Sequence, residues 1–312
     1  MSSSRIILII ITLLVIIGTG VFIARRADVG ASRENGKIIV VATLFPLYDM
    51  ARAIGGDVAD VSLLLPPGTE PHSFEPTPED ILRISRADVF IYTGPAMEPW
   101  VADILKNIDN PNLIVVNASA HIPPLSAVDE HVETATGTDP HVWLDLENAR
   151  IMARDIADAL AQTSSVHGEE IRTNVTRYDE RLATIDTEYT TGLASCPSRT
   201  FIFGGHYAFG YLATRYKLDY HAAQGFSPDS EPSASNLATL TTLIKKNRVT
   251  TIFYEELENP KTAETLARET GTTLVALSSA HMVGKNDIDK GVTFFDILKK
   301  NLVALRTGLS CN

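Results

Sequence analysis

Three short segments each place a histidine beside proline or glycine. They are Pro71-His72-Ser73-Phe74-Glu75-Pro76, Asp139-Pro140-His141-Val142-Trp143 and Gly204-Gly205-His206-Tyr207-Ala208-Phe209-Gly210. They lie far apart in the sequence, so only folding can bring them together. Three convergent neutral imidazoles would make a site for a borderline-soft divalent cation, zinc foremost. Taken singly, each histidine reads as a surface or capping residue, and it is their shared setting that points to a metal. Each stands where a strand should give way to a loop, the place where open α/β sheets put their ligands. His72 ends a turn stiffened by Pro66, Pro67 and Pro71, whose rings fix the backbone and restrict the residue before each.

The elements that must position these residues alternate. Continuous apolar, β-branched runs at 38–43, 58–65, 87–92 and 113–116 predict strands buried on both faces, with helices between them. Thr77 followed by Pro78 marks a helix start. A second alternation predicts strands over 200–203, 218–222, 249–254 and 273–277 and helices over 207–216, 233–247, 260–270 and 292–305. Between them, 147–193 lacks proline and repeats apolar residues at helical spacing, which predicts one long helix with a potential break at 164–168. Unbroken, that helix would span roughly 65 Å. The expected architecture is α/β: two similar lobes, 38–146 and 196–312, with mainly parallel sheets joined by one long spanning helix over 147–195. The cation site falls in the inter-lobe cleft.

Composition bounds the function. The chain has 312 residues with 38 acidic against 27 basic side chains, a formal charge of −11. Its Lys and Arg are scattered, which argues against nucleic-acid binding. Ile6–Ala24 is the one long apolar run, preceded by Arg5 and followed by Arg25-Arg26. Its 19 residues suffice for one membrane span. Residues 1–27 therefore read as an uncleaved signal anchor, with a cleaved signal peptide as the alternative, and 28–37 as a linker. No Leu-x-Gly-Cys pattern follows, so no lipid-modified cysteine is expected. Everything after the anchor is placed outside the cytoplasm, in the periplasm or on the outer face of the membrane. In such an oxidising compartment the two cysteines, Cys196 and Cys311, can bridge and pin the last helix to lobe two; two free thiols are the alternative. A monomer is expected.

The three histidine segments, with Thr43-Leu44-Phe45-Pro46 and Ser230-Glu231-Pro232-Ser233, resemble the motifs of the zinc/manganese solute-binding proteins of bacterial ABC importers. The resemblance runs from about Lys37 to Leu309. It implies a two-lobed protein with the metal buried between the lobes and His72, His141 and His206 as ligands. A histidine at the third position is similar to the zinc branch, and Mn2+ is the lesser expectation, because manganese favours oxygen donors. The family's fourth ligand is usually acidic, just after the last strand of lobe two, but here that stretch reads Leu277-Ser278-Ser279-Ala280-His281-Met282. His281 is the first candidate, Glu255 the second or else a hydrogen-bonding support, and water the third. Asp287 and Asp289 read as loop surface, and His121, His167 and His221 as surface or structural. Members of the family often carry a long His-rich acidic loop before the second ligand; here Asp129–Glu133 retains only His131 and a few acids.

The resemblance implies an extracytoplasmic component that captures Zn2+ and hands it to an ABC permease in the membrane. No enzymatic activity is expected. Two rival functions stand beside it: a three-histidine zinc hydrolase with an activated water, and a surface adhesin stabilised by a metal. Against the hydrolase, the sequence holds neither His-Glu-x-x-His nor Gly-x-Ser-x-Gly.

Overall fold

The computed structural model describes residues 36–125 and 137–311. The expected anchor at 6–24 and the reduced acidic loop around His131 lie outside the described residues. Among the described residues, no helix is long and apolar enough to cross a membrane.

Lobe one is a four-stranded parallel sheet of β1 (Ile38–Ala42), β2 (Ala59–Leu63), β3 (Val89–Tyr92) and β4 (Ile114–Asn117), in the order β2-β1-β3-β4. Its register pairs Val40 with both Val61 and Val89, and Phe90 with Val115. Helix α1 (Phe45–Gly55) follows β1, α2 (Pro78–Ser85) precedes β3, and the short α3 (Val101–Leu105) precedes β4. Thr77 caps α2 with Asp80 in a reciprocal capping box. Lobe two repeats the plan with β5 (Thr200–Phe203), β6 (Asp219–Ala222), β7 (Thr251–Glu255) and β8 (Thr273–Leu277), in the order β6-β5-β7-β8. In both sheets the first strand lies inside, between its second and third, so chain direction across the sheet reverses beside it. That reversal opens a crevice at the carboxyl ends of the strands.

The connecting segment differs from the single helix expected over 147–195. Helix α4 (Leu146–Thr163) ends at Ser164, a 3-10 turn covers Ser165–His167, and α5 (Gly168–Ala194) follows. Arg150 and Arg154 both reach the Asp179 carboxylate, at 2.8 and 2.9 Å. In one straight helix residues 150 and 179 would stand about 43 Å apart, so the chain doubles back and the two helices pair as a hairpin. Helix α5, 27 residues long, then links the lobes by itself. Asn174 donates to the Ile54 carbonyl at the end of α1. Near its other end Tyr189 donates to the Leu298 carbonyl on α10 (Phe294–Gly308), the last helix.

The remaining helices of lobe two are α6 (Gly210–Tyr216), α7 (Ala234–Asn247), α8 (Lys261–Thr270) and α9 (Lys285–Asp289). Asp287 and Asp289 therefore sit on a short surface helix rather than in a loop. One apolar core runs from the β1 and β3 residues through α4 and α5 to Phe253 and the inner face of α10, and a smaller cluster lies between β7, α7 and α8. Residues from Ile38 onward accordingly form one compact unit. Asp49 on α1 is buried and accepts the Phe294 N–H at 3.0 Å, tying the first helix of lobe one to the N-terminus of α10.

Cys196 and Cys311 are bridged across 115 residues, pinning the end of α10 beside the entry to β5. Restricting so long a loop in the unfolded chain is worth about 2–5 kcal/mol. The double variant Cys196→Ser/Cys311→Ser should lose a stability of that order in urea denaturation, with a larger m-value because the unfolded chain is free to expand.

Candidate metal centre

Four loops deliver four imidazoles to one point. His72 follows β2, His206 follows β5, and His281 follows β8, all at carboxyl ends of parallel strands. His141 precedes a single 3-10 turn, Val142–Leu144, that leads into α4. Nε2 of His72 and Nε2 of His206 each lie 3.3 Å from Nε2 of His141. His281 joins them, with its ring 5.4–5.9 Å, centroid to centroid, from the other three. His141, His206 and His281 are buried and His72 is partly exposed.

What each ring does with its outer nitrogen decides which nitrogen faces inward. Asp139 Oδ1 accepts from His141 Nδ1 at 2.9 Å and also from the His141 backbone N–H. Ser279 Oγ sits 2.9 Å from His281 Nδ1. Glu258 Oε1 lies 3.0 Å from His206 Nδ1, although without the alignment of a hydrogen bond. Glu70 accepts the His72 backbone N–H, which fixes the turn rather than the ring. Nδ1 of His141 and of His281 is thereby engaged, and Nε2 is left pointing at the shared point. His281 Nε2 has no hydrogen-bond partner among the described residues.

Burial sets the charge state. It holds His72 far below its ordinary value, at about 3, with the neighbouring His206 as the lesser cause. His141 and His281 are pushed well below theirs, again chiefly by burial. These rings are neutral near pH 7 and offer lone pairs rather than N–H groups to whatever enters. Burial also raises the Asp139 carboxyl to about 8.

The second candidate from the sequence, Glu255, lies behind this ring set rather than in it. Both of its carboxylate oxygens accept the Ser279 N–H, at 3.0 and 3.2 Å. Trp143 Nε1 donates to the Ser279 carbonyl at 2.7 Å, so a residue of the lobe-one exit grips the loop that carries His281. Ala280 between them has φ +65°, a left-handed conformation that costs a residue with a Cβ free energy. The hydrogen bonds to its neighbours hold it there. Gly68 donates to the Val283 carbonyl at 3.0 Å, linking the His72 turn to the same loop. His121 and His221 pair with Asp155 and Asp219 away from the site, and His167 lies in the turn between α4 and α5.

Asp139 and Glu258 gained no role from the sequence. Asp139 stands two residues before His141, so proximity could have suggested it; Glu258 lies in the loop after β7 and carries no local signal. A third feature, Gly210, explains the glycine that closes the third motif. A Cβ there would lie 2.5 Å from Asp139 Oδ2 and 2.6 Å from the Tyr207 ring.

A family profile described as the periplasmic zinc-uptake complex component A, ZnuA, matches residues 40–308. The chain belongs to the ZnuA family. The ZnuA of Bacillus subtilis, a high-affinity zinc uptake system protein, is 37% identical over 287 residues, 89% of this chain and 90% of that protein. The zinc-binding protein AdcA of Streptococcus pyogenes is 34% identical over 289 residues, 87% of this chain but 56% of AdcA. The chain thus spans about half the length of the curated AdcA relatives it matches. The Zn(II)-bound ZnuA-like domain of Streptococcus pneumoniae AdcA superposes with a TM-score of 0.76 at 34% identity, covering 88% of this chain and 99% of that one. The two parallel-sheet lobes are those of ZnuA-type solute-binding proteins.

Two outcomes are expected from the site's construction. Gly210→Ala should push Asp139 off His141 and weaken divalent-ion affinity by about 10–100-fold, the usual effect of losing such a supporting hydrogen bond, as read by competition titration. In the metal-free protein, the His72, His141 and His281 imidazoles have folded-state values below the unfolded one, so through them the unfolded chain binds more protons. Their contribution to stability is then full above about pH 6.5 and declines as pH falls toward 3, while raised carboxyls such as Asp139 work in the opposite direction. Urea denaturation at pH 7.5 and pH 5 should therefore show His72→Gln losing less midpoint on acidification than the wild type.

Proposed function

We propose that this protein captures Zn2+ outside the cytoplasmic membrane and delivers it to the permease of an ABC importer, with His72, His141, His206 and His281 as the ion's four ligands. The observation that carries this reading is a distance. Nitrogens placed about 2.0–2.1 Å from a tetrahedral centre stand about 3.3–3.4 Å apart. The two Nε2–Nε2 separations to His141 are both 3.3 Å. Such a spacing between imidazole nitrogens is what a small tetrahedral ion requires. An all-nitrogen set favours Zn2+ over Mn2+, which prefers oxygen. The zinc named for the relatives, and the Zn(II) bound to the AdcA domain, support the same ion.

His281 in the fourth position argues against the hydrolase, because catalytic zinc keeps that position for water. Glu255, the residue that could have served as a base, is spent on the Ser279 N–H. All four imidazoles come from one chain, so a monomer completes the site. The chain's tether to the membrane is proposed from Ile6–Ala24, as read from the sequence.

Delivery requires the ion to leave. The α4–α5 hairpin, the shared core and the Trp143–Ser279 and Gly68–Val283 bonds resist wide hinge opening. Release is therefore expected through a local shift of the 278–283 loop, which carries the strained Ala280 and must break the Trp143–Ser279 and Gly68–Val283 bonds to move. Competition titration with a chelating dye gives the test. The wild-type protein should bind one Zn2+, and His281→Ala should weaken it more than about tenfold, at least the loss seen for supporting residues. Unchanged affinity in that variant would remove His281 from the ligand set. No stoichiometric Zn2+ binding by the wild type would remove the function.

A further inference from the structure

On the outer side of the site a cleft of about 650 Å³ is lined by Glu70, Asp229, Glu231 and Glu258, with Lys261 the one basic residue among its walls. Asp229 and Glu231 are exposed, while the Glu70 and Glu258 side chains are 21% and 15% exposed. The His206 and His281 side chains behind them are fully buried. Carboxylates thus stand both at the exposed rim of the cleft and at its inner end beside the imidazoles. Glu258 Oε1 ends 3.0 Å from His206 Nδ1, and Glu70 Oε2 ends 3.8 Å from His281 Nε2.

A row of carboxylates alone would be an ordinary solvated face. Here three atoms at its inner end are buried without a hydrogen-bond partner among the described residues: Glu258 Oε1, His206 Nδ1 and His281 Nε2. Glu258, His206 and His281 each offer one ligand atom, and the three atoms lie within 4.8 Å of one another. Leaving such groups unpaired costs free energy, and a cation would relieve it.

Building on the zinc-capture reading, we propose that this cleft is the ion's route into and out of the protein, and that Glu258 with His206 and His281 forms an outer resting position for Zn2+, with Glu70 beside it. The physical need for such a position is desolvation. A hydrated divalent ion cannot surrender its water to four uncharged ligand nitrogens in one step, because stripping a charge of water is costly unless compensating charge replaces it. Glu258 and Glu70 supply that charge while the imidazoles replace waters one at a time. The misaligned contact between Glu258 and His206 suits this role, since the carboxylate is not locked on the ring.

The competing account is that Glu258 only orients His206. The two separate in kinetics. Zn2+ association with the full chain should be measured by stopped flow against a chelating dye, for wild type and Glu70→Gln/Glu258→Gln. The outer position predicts a fall in association rate of at least about tenfold at low ionic strength, because a charge-lined cleft accelerates capture by 10–10³. It also predicts that added salt slows the wild type and barely slows the variant. An unchanged association rate with faster dissociation alone would overturn the proposal and leave four-imidazole binding intact. Absence of Zn2+ binding in the wild type would instead be the failure of the functional reading. A second measurement covers misfolding of that variant. His72→Ala/His141→Ala, checked by circular dichroism, should retain weak Co2+ binding by visible absorption, and adding Glu258→Gln should abolish it. A folded double variant with no Co2+ signal would also overturn the outer position.

Discussion

The structure is organised around a group of imidazole nitrogens packed together and largely withdrawn from water. Buried lone pairs at 3.3 Å separations have little to gain from one another and lose their hydration. Such a cluster persists only where the rest of the fold contributes enough to hold it. The supporting bonds are the means: Asp139 on His141, Ser279 beside His281, Glu255 and Trp143 on the Ser279 peptide. One of them, from Trp143 to Ser279, joins residues 136 positions apart. The site therefore depends on the two lobes keeping register with each other, and the core that passes through the α4–α5 hairpin provides that register.

The chemistry of the supporting atoms also divides the labour between the lobes. Lobe one and its exit supply His72 and His141, from a proline-stiffened turn and from a carboxylate-braced turn. Lobe two supplies His206, with a loosely held carboxylate behind it, and His281, on a loop containing the left-handed Ala280. Lobe one thus acts as the fixed half of the cradle, and the parts that could yield belong to lobe two. The proposed delivery of the ion favours such an arrangement, because release needs a wall that can move.

Much of this was legible in the sequence, for identifiable reasons. Strands buried on both faces write continuous apolar runs, so β5 and β8 fall on the expected residues and the others within a few. Histidines at strand ends, beside Pro or Gly, write a pattern that survives without knowing the fold. His281 could be reached through the family's spacing, although its chemistry departs from the usual carboxylate. The hairpin was harder. The proline-free stretch 147–193 has the same periodicity whether straight or folded, and only the Ser164–Gly168 break hinted at reversal; the Arg150–Asp179 contact that proves it is tertiary. Glu258 was illegible because a glutamate in an acidic loop looks like solvated surface until its imidazole neighbour is placed 3.0 Å away. Asp139 was written in the motif itself, yet its function depends on the direction its carboxylate takes.

Asp49 carries one more consequence. Its carboxylate is buried on the first helix and finds its backbone donor on the last, 245 residues later. Neither lobe can detach without stranding that group, and the apolar layer between them would be exposed as well. The two sheets, though each has its own strand order and could pass for an independent domain, are thus joined by a buried polar contact and a common apolar layer. Two look-alike halves are held as one body.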